Sequence, residues 1–304
     1  MKVVNGNIVC SEIIQENYLE YGEKFYSIAP LSVDDNDGGK GGNSNVFKLI
    51  DPDFDDDNYE VIKFCKYPLQ TPDLILKTRI DRFKNEIKAL KRAKALGSED
   101  IIDIRFNDAK EIDGSEFLYY VMERADSDML KFMQDTEISL QQKFVLCIDI
   151  LNGINQLHAS GIFHRDIKPD NILFVNNRPK ISDLGLIATR DADQDLDSIR
   201  EKIGPSGWLS PEAVNKMLCE GTRYEMLHCC TIKEYSDVFQ LGKLFWYIFE
   251  GTAPIGQIQF KNFKLGNRRI FDLIFNMLQY LMTDRPILDF VINEMQDESR
   301  QFQS

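Results

Sequence analysis

The sequence offers little for cross-linking or for holding a structural metal. Its six cysteines, Cys10, Cys65, Cys147, Cys219, Cys229 and Cys230, form no C-x-x-C pair and have no His-rich neighbourhood, so a zinc site is not provided for and reduced thiols are expected. Long hydrophobic runs are also missing. The longest, Leu244 to Phe249, is far short of the roughly 20 residues that span a bilayer, and Met1 to Cys10 is too polar for a signal peptide. A soluble cytoplasmic protein is expected. Positive charge is scarce: 36 Lys and Arg against 49 Asp and Glu leave a formal net charge of -13. That balance disfavours nucleic acid and anionic membrane as main partners and favours a basic peptide, although acidity also serves solubility.

What is present suffices for a sizeable core. The chain has 304 residues, 43% of them hydrophobic, about two domains' worth. Residues 1–25 show no clear periodicity and read as an N-terminal extension. Tyr26 to Val33 is strand-like, and the Asp/Gly-rich run from Asp34 to Asn43 is a loop. Val46 to Ile50 and Tyr59 to Phe64 resume as strands around an acidic turn. In that turn Asp51, Asp53 and Asp55 alternate as in a calcium loop, but Asp56 stands where such a loop needs glycine and Ile62 where it needs glutamate, so a solvated turn is expected.

Ile80, Phe83, Ile87 and Leu90 recur at helical spacing between Leu74 and Leu96. Ile101 to Phe106 and Phe117 to Met122 alternate as strands. After Arg124 helices take over: Leu140 to His158, the almost wholly apolar Asp237 to Phe249, and Ile270 to Met282. The fold class is α+β, with a small antiparallel-sheet lobe over 26–124 and a larger helical lobe over 125–304. A cleft between the lobes is the expected ligand site.

The most informative segment is His164-Arg165-Asp166-Ile167-Lys168-Pro169-Asp170-Asn171. Eight such positions do not arise by chance in an ordinary loop. Downstream follow Asp183-Leu184-Gly185 and Ser210-Pro211-Glu212; upstream stand the glycine loop from Gly39 to Val46 and Val61-Ile62-Lys63. In this order the set resembles the eukaryotic-type Ser/Thr protein kinase family over roughly residues 26 to 290.

The resemblance implies a two-lobed kinase-like fold that transfers the γ-phosphoryl of ATP, with Mg²⁺, to Ser or Thr of protein substrates, with the chain itself a candidate substrate. Gly39, Gly41 and Ser44, the last replacing a third glycine, would cradle the phosphates. Lys63 would hold them from a strand and pair with Glu86. Val46 and Val61 would roof the adenine, Leu173 would floor it, and Glu123 and Ala125 would contact it where the lobes join. Asp166 would act as general base and Lys168 would neutralise the transferring group. Asn171 and Asp183 would hold the metal. His164 reads as a packed scaffold residue rather than a catalyst, Asp237 as an acceptor for the amides of the catalytic loop, and Glu212 as the partner of Arg285.

Two departures bear on the target. Pro205 replaces the usual threonine, with Ser206 expected to take over a hydroxyl contact to Asp166 and Lys168. The stretch from Glu212 to Asp237 is longer than usual in the family. Thr189 and Ser198 are candidates for phosphorylation beside Arg165, while Asp191, Asp193, Asp195 and Asp197 already supply negative charge nearby. Two other readings accompany the main one: a pseudokinase that only binds partners, and a small-molecule kinase of related fold.

Overall fold

The β-branched and aromatic runs of the first 124 residues pair into sheet, as a period of two requires. A computed structural model describes residues 1–31, 42–53, 58–190 and 196–302. They divide into two units, Met1–Lys94 with Ile102–Arg124, and Ala95–Ile101 with Ala125–Ser304.

In the first unit β1 (Lys2–Val4) and β2 (Asn7–Val9) form a hairpin. Strands β3 (Tyr18–Tyr21), β4 (Lys24–Pro30), β5 (Ser44–Ile50), β6 (Tyr59–Cys65), β7 (Ile104–Ile112) and β8 (Ser115–Met122) make one antiparallel sheet in the order β3-β4-β5-β6-β8-β7. Helix α1 (Leu74–Ala95) connects β6 to β7. On β6, Ile62 and Phe64 are fully buried in a cluster with Phe47 and Leu49 of β5 and Tyr119 and Val121 of β8. Side chains alternate along a strand, so Lys63 faces the opposite side of the sheet.

Residues 1–25 are not a separate extension; they belong to this first unit, which begins at Met1 rather than at residue 26. Ile8 and Leu19 are buried in the same cluster as Ile62 and Phe64, and the Ile8 amide donates to Asn45 Oδ1 at 3.1 Å. Strands of three and four residues are too short to display a period in the sequence. Two aspartates of the acidic turn after β5 share one cation, with Lys24 Nζ 3.0 Å from Asp51 and 2.7 Å from Asp53; Asp55 and Asp56 lie outside the described residues.

The second unit holds β9 (Ser127–Asp128), α2 (Met129–Asp135), α3 (Leu140–Ala159), β10 (Ile162–Phe163), β11 (Ile172–Val175), β12 (Arg178–Ile181), β13 (Ala188–Thr189), α4 (Pro211–Cys219), α5 (Glu234–Glu250), α6 (Arg268–Met277) and α7 (Leu288–Gln301). The short strands pair as β12-β11-β9 and β10-β13. Ala95–Ile101 joins this unit because Asp100 O accepts the Ile181 amide at 2.8 Å and Ile101 bridges Ile181.

Helix α3 starts on a capping box, in which the Ser139 side chain accepts from the Gln142 amide and Gln142 answers to the Ser139 amide, a device that contributes about 1 kcal/mol. On α5, Leu241, Leu244, Phe245 and Ile248 are all fully buried, the i, i+3, i+4, i+7 stripe of a central helix. Gly242 on the same helix lets α6 approach, since a Cβ there would sit 2.9 Å from Met277 Cβ. The helix expected to reach Met282 stops at Met277. Arg285 takes the Gln279 and Tyr280 carbonyls at 2.8 and 2.9 Å, and so claims acceptors that a continuing helix would use. Among the described residues no helix is long and apolar enough to cross a membrane, and the six cysteines carry free thiols.

Candidate active site

In the first unit the sheet brings a cation to a carboxylate. Lys63 Nζ lies 2.8 Å from Glu86 Oε1, and both residues are buried. The same oxygen accepts the Tyr120 hydroxyl at 2.9 Å. Tyr120 is the β8 residue opposite Lys63 in the ladder, and its ring packs tilted against Phe83 of α1, centroids 5.4 Å apart. The apolar stripe of α1 thus draws Glu86 under the sheet, where two donors offset the loss of water around it. Tyr120 escaped sequence reasoning; its only signal was a polar tip on a strand facing Lys63.

Around this pair, Ser44 is buried at the start of β5, Val46 is half-buried opposite Lys63, and Val61 is buried opposite Met122. Glu123 is tied down by the Asp103 amide, which donates to its carboxylate at 2.7 Å. Gly39 and Gly41 lie outside the described residues.

In the second unit the catalytic-loop segment runs between β10 and β11. Asp166 and Asn171 are buried. Asn171 Nδ2 donates to the Asp166 carbonyl and to Asp166 Oδ2, both at 2.8 Å, and Lys168 Nζ is 3.4 Å from the same Oδ2. One carboxylate oxygen is therefore fixed, while Asp166 Oδ1 is buried without a hydrogen-bond partner among the described residues. Burial pushes the Asp166 carboxyl above the ordinary aspartate range; the charge of Asp183 acts in the same sense, and Lys168, His164 and the Asn171 bond only partly oppose them.

The Asn171 amide is oriented by its donors, both spent on Asp166, so its oxygen is the end left for a hard cation. Ser182 ties the following strand to the loop, its amide and hydroxyl both donating to the Asn171 carbonyl at 3.0 Å. Asp183 comes next, exposed and in a left-handed backbone at φ +55, with Leu184 fully buried behind it. Leu173 on β11 is half-buried, paired with Lys180 and Asp128; Ala125 is half-buried before β9.

The loop is held from α5. Asp237 Oδ2 accepts the His164 amide at 2.8 Å and Oδ1 accepts the Arg165 amide at 2.7 Å, with His158 Nε2 donating at 2.8 Å. Burial alone would raise the Asp237 carboxyl, but the His158 bond, the His158 and His164 charges and the Arg165 amide outweigh it and hold it below its ordinary value. Arg165 has φ +65, a conformation that costs a residue with a Cβ about 1–2 kcal/mol. Bonds on both sides of its backbone offset that cost: its carbonyl accepts Gln240 Nε2 at 3.0 Å, and Gln240 Oε1 accepts the Ile167 amide at 2.9 Å. Gln240 was not foreseen, although it lies three residues beyond Asp237 on the same helix face. His164 is fully buried; Nε2 meets the Ser182 carbonyl and Nδ1 meets the Asp166 amide, bonds on both ring nitrogens that fix it as a strut.

Ser206 corrects an expectation. Its hydroxyl accepts Lys202 Nζ at 2.7 Å rather than meeting Asp166 or Lys168. The chain turns at Pro205, where the Trp208 amide reaches the Pro205 carbonyl at 3.1 Å between Gly204 (φ +99) and Gly207 (φ +88), and that turn carries the side chain away. Glu212, just inside α4, meets Arg285 Nη1 at 2.5 Å with both side chains buried, as the family resemblance implied.

The scaffold invites comparison with known proteins. Among the described residues no group of three or more His, Cys, Asp or Glu could hold a metal ion. The chain is 26% identical over 224 residues to the serine/threonine-protein kinase mph1 of Schizosaccharomyces pombe, covering 73% of this chain and 31% of that one. It is 25% identical over 221 residues to the dual specificity protein kinase TTK of Mus musculus, covering 72% and 24%. For the serine/threonine-protein kinase MPS1 of Encephalitozoon cuniculi the figures are 25% over 218 residues, 71% and 32%. The chain spans less than a third of the length of these relatives. The family model for the protein kinase domain matches residues 34–302, and the chain belongs to that family.

Proposed function

We propose that this chain is an active Ser/Thr protein kinase that transfers the γ-phosphoryl of Mg-ATP to hydroxyls of protein substrates, its own included. The observation that carries this reading is the state of Asp166: one oxygen tethered by Asn171 and Lys168, the other buried and, among the described residues, unbonded. That is the arrangement a general base needs to accept a hydroxyl proton, and the burial that raises its carboxyl brings its basicity closer to neutral pH.

Asp166 Oδ1 orients the substrate hydroxyl and takes its proton as the oxygen bonds to the γ-phosphorus and the bond to the β-phosphate oxygen breaks. Lys168 offsets charge on the group in transit, a role worth about 10²-fold or more for a well-placed donor. Lys63, positioned by Glu86 and Tyr120, holds the phosphates, with Gly39, Gly41 and Ser44 as further phosphate contacts. Val46, Val61 and Leu173 bind the adenine by its faces, and Glu123 and Ala125 by its edge. The Asn171 oxygen and the Asp183 carboxylate are donors suited to Mg²⁺, which when bound neutralises the β- and γ-phosphates.

Asp166-Ile167-Lys168-Pro169 favours Ser and Thr as acceptors. Net charge favours basic protein segments over nucleic acid or anionic membrane, and free thiols fit a cytoplasmic setting. The test is label transfer from γ-labelled ATP with Mg²⁺ to general protein substrates and to the chain itself, followed by identification of the labelled residue. Phosphoserine and phosphothreonine are expected. Phosphotyrosine alone would contradict the acceptor assignment. ATP binding without transfer would indicate a pseudokinase, and label only on a small-molecule alcohol would indicate a small-molecule kinase.

A further inference from the structure

Arg165 stands one residue before Asp166 and is 2% exposed. A buried guanidinium is costly unless its donors are met. Here Nε donates to the Leu186 carbonyl at 2.6 Å, and Nη1 and Nη2 donate to the two oxygens of Asp197 at 2.7 and 2.9 Å. The Asp197 side chain is itself 1% exposed. This is the two-pronged match of a planar fork to a carboxylate. One side chain thus joins the loop that carries Asp166, the residues just after Asp183 and a point eleven residues beyond Leu186.

The chain downstream of Asp197 is fixed against the same arginine. Ile203 is buried with Ala213 and Ile232. Gly204, at φ +99, comes so near that a Cβ there would lie 3.2 Å from the Arg165 carbonyl oxygen. By contrast, Thr189 and Ser198 are exposed, and the Ser198 amide donates to the Glu201 side chain at 2.8 Å.

A phosphate added to a loop orders it by giving an arginine a paired acceptor. In this chain the acceptor at Arg165 is already encoded. We propose that Asp197 is a positioning residue that acts through Arg165 in place of a loop phosphate, so that the enzyme works without modification of its own segment. The proposal rests on the kinase reading above.

The experiment uses the full chain, treated with phosphatase and checked by mass for absence of phosphate. Turnover and the KM for ATP are measured for the wild type, for the Thr189→Ala, Ser198→Ala double variant, for Asp197→Asn and Asp197→Glu, and for Asp166→Asn as the inactive reference. The dephosphorylated wild type and the double variant are expected to keep full turnover. Asp197→Asn is expected to lose about 10²-fold in kcat with KM for ATP nearly unchanged, the size of loss that a misplaced catalytic group produces, and Asp197→Glu to recover most of it. A cooperative melt establishes that each variant is folded; should Asp197→Asn not fold, the phosphatase arm and Asp197→Glu decide. Wild-type turnover in folded Asp197→Asn overturns the proposal, as does loss of wild-type activity on phosphatase treatment. Activity of the untreated wild type alongside either of those results leaves the kinase reading standing; an untreated wild type no better than Asp166→Asn overturns both.

Discussion

Asp237 Oδ1 lies 2.7 Å from the backbone amide of Arg165, seventy-two residues away in sequence. The three groups around that carboxylate, the His164 amide, the Arg165 amide and His158 Nε2, are all donors. In Asp237→Asn the amide NH₂ must therefore oppose a donor. The variant is expected to lose about 1–3 kcal/mol of stability, together with turnover, because the loop carrying Asp166 loosens. Since the folded carboxyl titrates below its unfolded value, the stability it supplies is full at neutral pH and is lost as pH falls through the lowered value. Thermal melts of the two proteins should converge in acid and separate toward neutrality.

Asp166 has the opposite sign. Its folded carboxyl is raised by burial, so the protonated form is favoured in the fold and the ionised form costs stability once pH rises through the raised value. Asp166→Asn is expected to melt at or above the wild-type temperature at pH 7, with the gain shrinking in acid. The acid limb of kcat/KM in the wild type should have its midpoint above the ordinary aspartate range, because a base must be ionised to act. A melting series and a pH–rate profile check the two halves of this prediction.

For the first unit, Lys63→Met removes the cation from buried Glu86, and kcat/KM for ATP is expected to fall about 10²-fold. Tyr120→Phe deletes a hydrogen bond to a charged acceptor, and its expected cost of about 1.5 kcal/mol should appear in denaturant unfolding more than in turnover. Residues sharing one carboxylate do not act independently. The double variant should therefore differ from the sum of the single ones.

Ile8→Ala tests whether the N-terminal strands are structural. A fully buried isoleucine cut to alanine costs about 2–5 kcal/mol, whereas an isoleucine on a loose extension would cost almost nothing. Urea unfolding of the full chain distinguishes the two.

The sequence made the catalytic loop legible because its chemistry is contiguous: Asp166, Lys168 and Asn171 meet through local bonds within six residues. Lys63 with Glu86 and Glu212 with Arg285 were reached only through a family resemblance. Polar residues 23 and 73 positions apart carry no mark of their partner, and for each taken alone, solvent is the cheaper expectation. Tyr120 and Gln240 stayed hidden for that reason. The strands of residues 1–25 stayed hidden because three or four residues cannot express a period. Ser206 was misplaced because the turn at Pro205, not the residue type, decides where its hydroxyl goes.

The most direct measurement is the rate of phosphoryl transfer by Asp166→Asn relative to wild type at neutral pH, with ATP affinity measured in parallel. If Asp166 Oδ1 is the proton acceptor, transfer falls about 10²-fold or more while ATP affinity is essentially unchanged. Transfer at the wild-type rate by a folded Asp166→Asn would contradict the account, since the buried, unbonded oxygen would then have no part in the reaction.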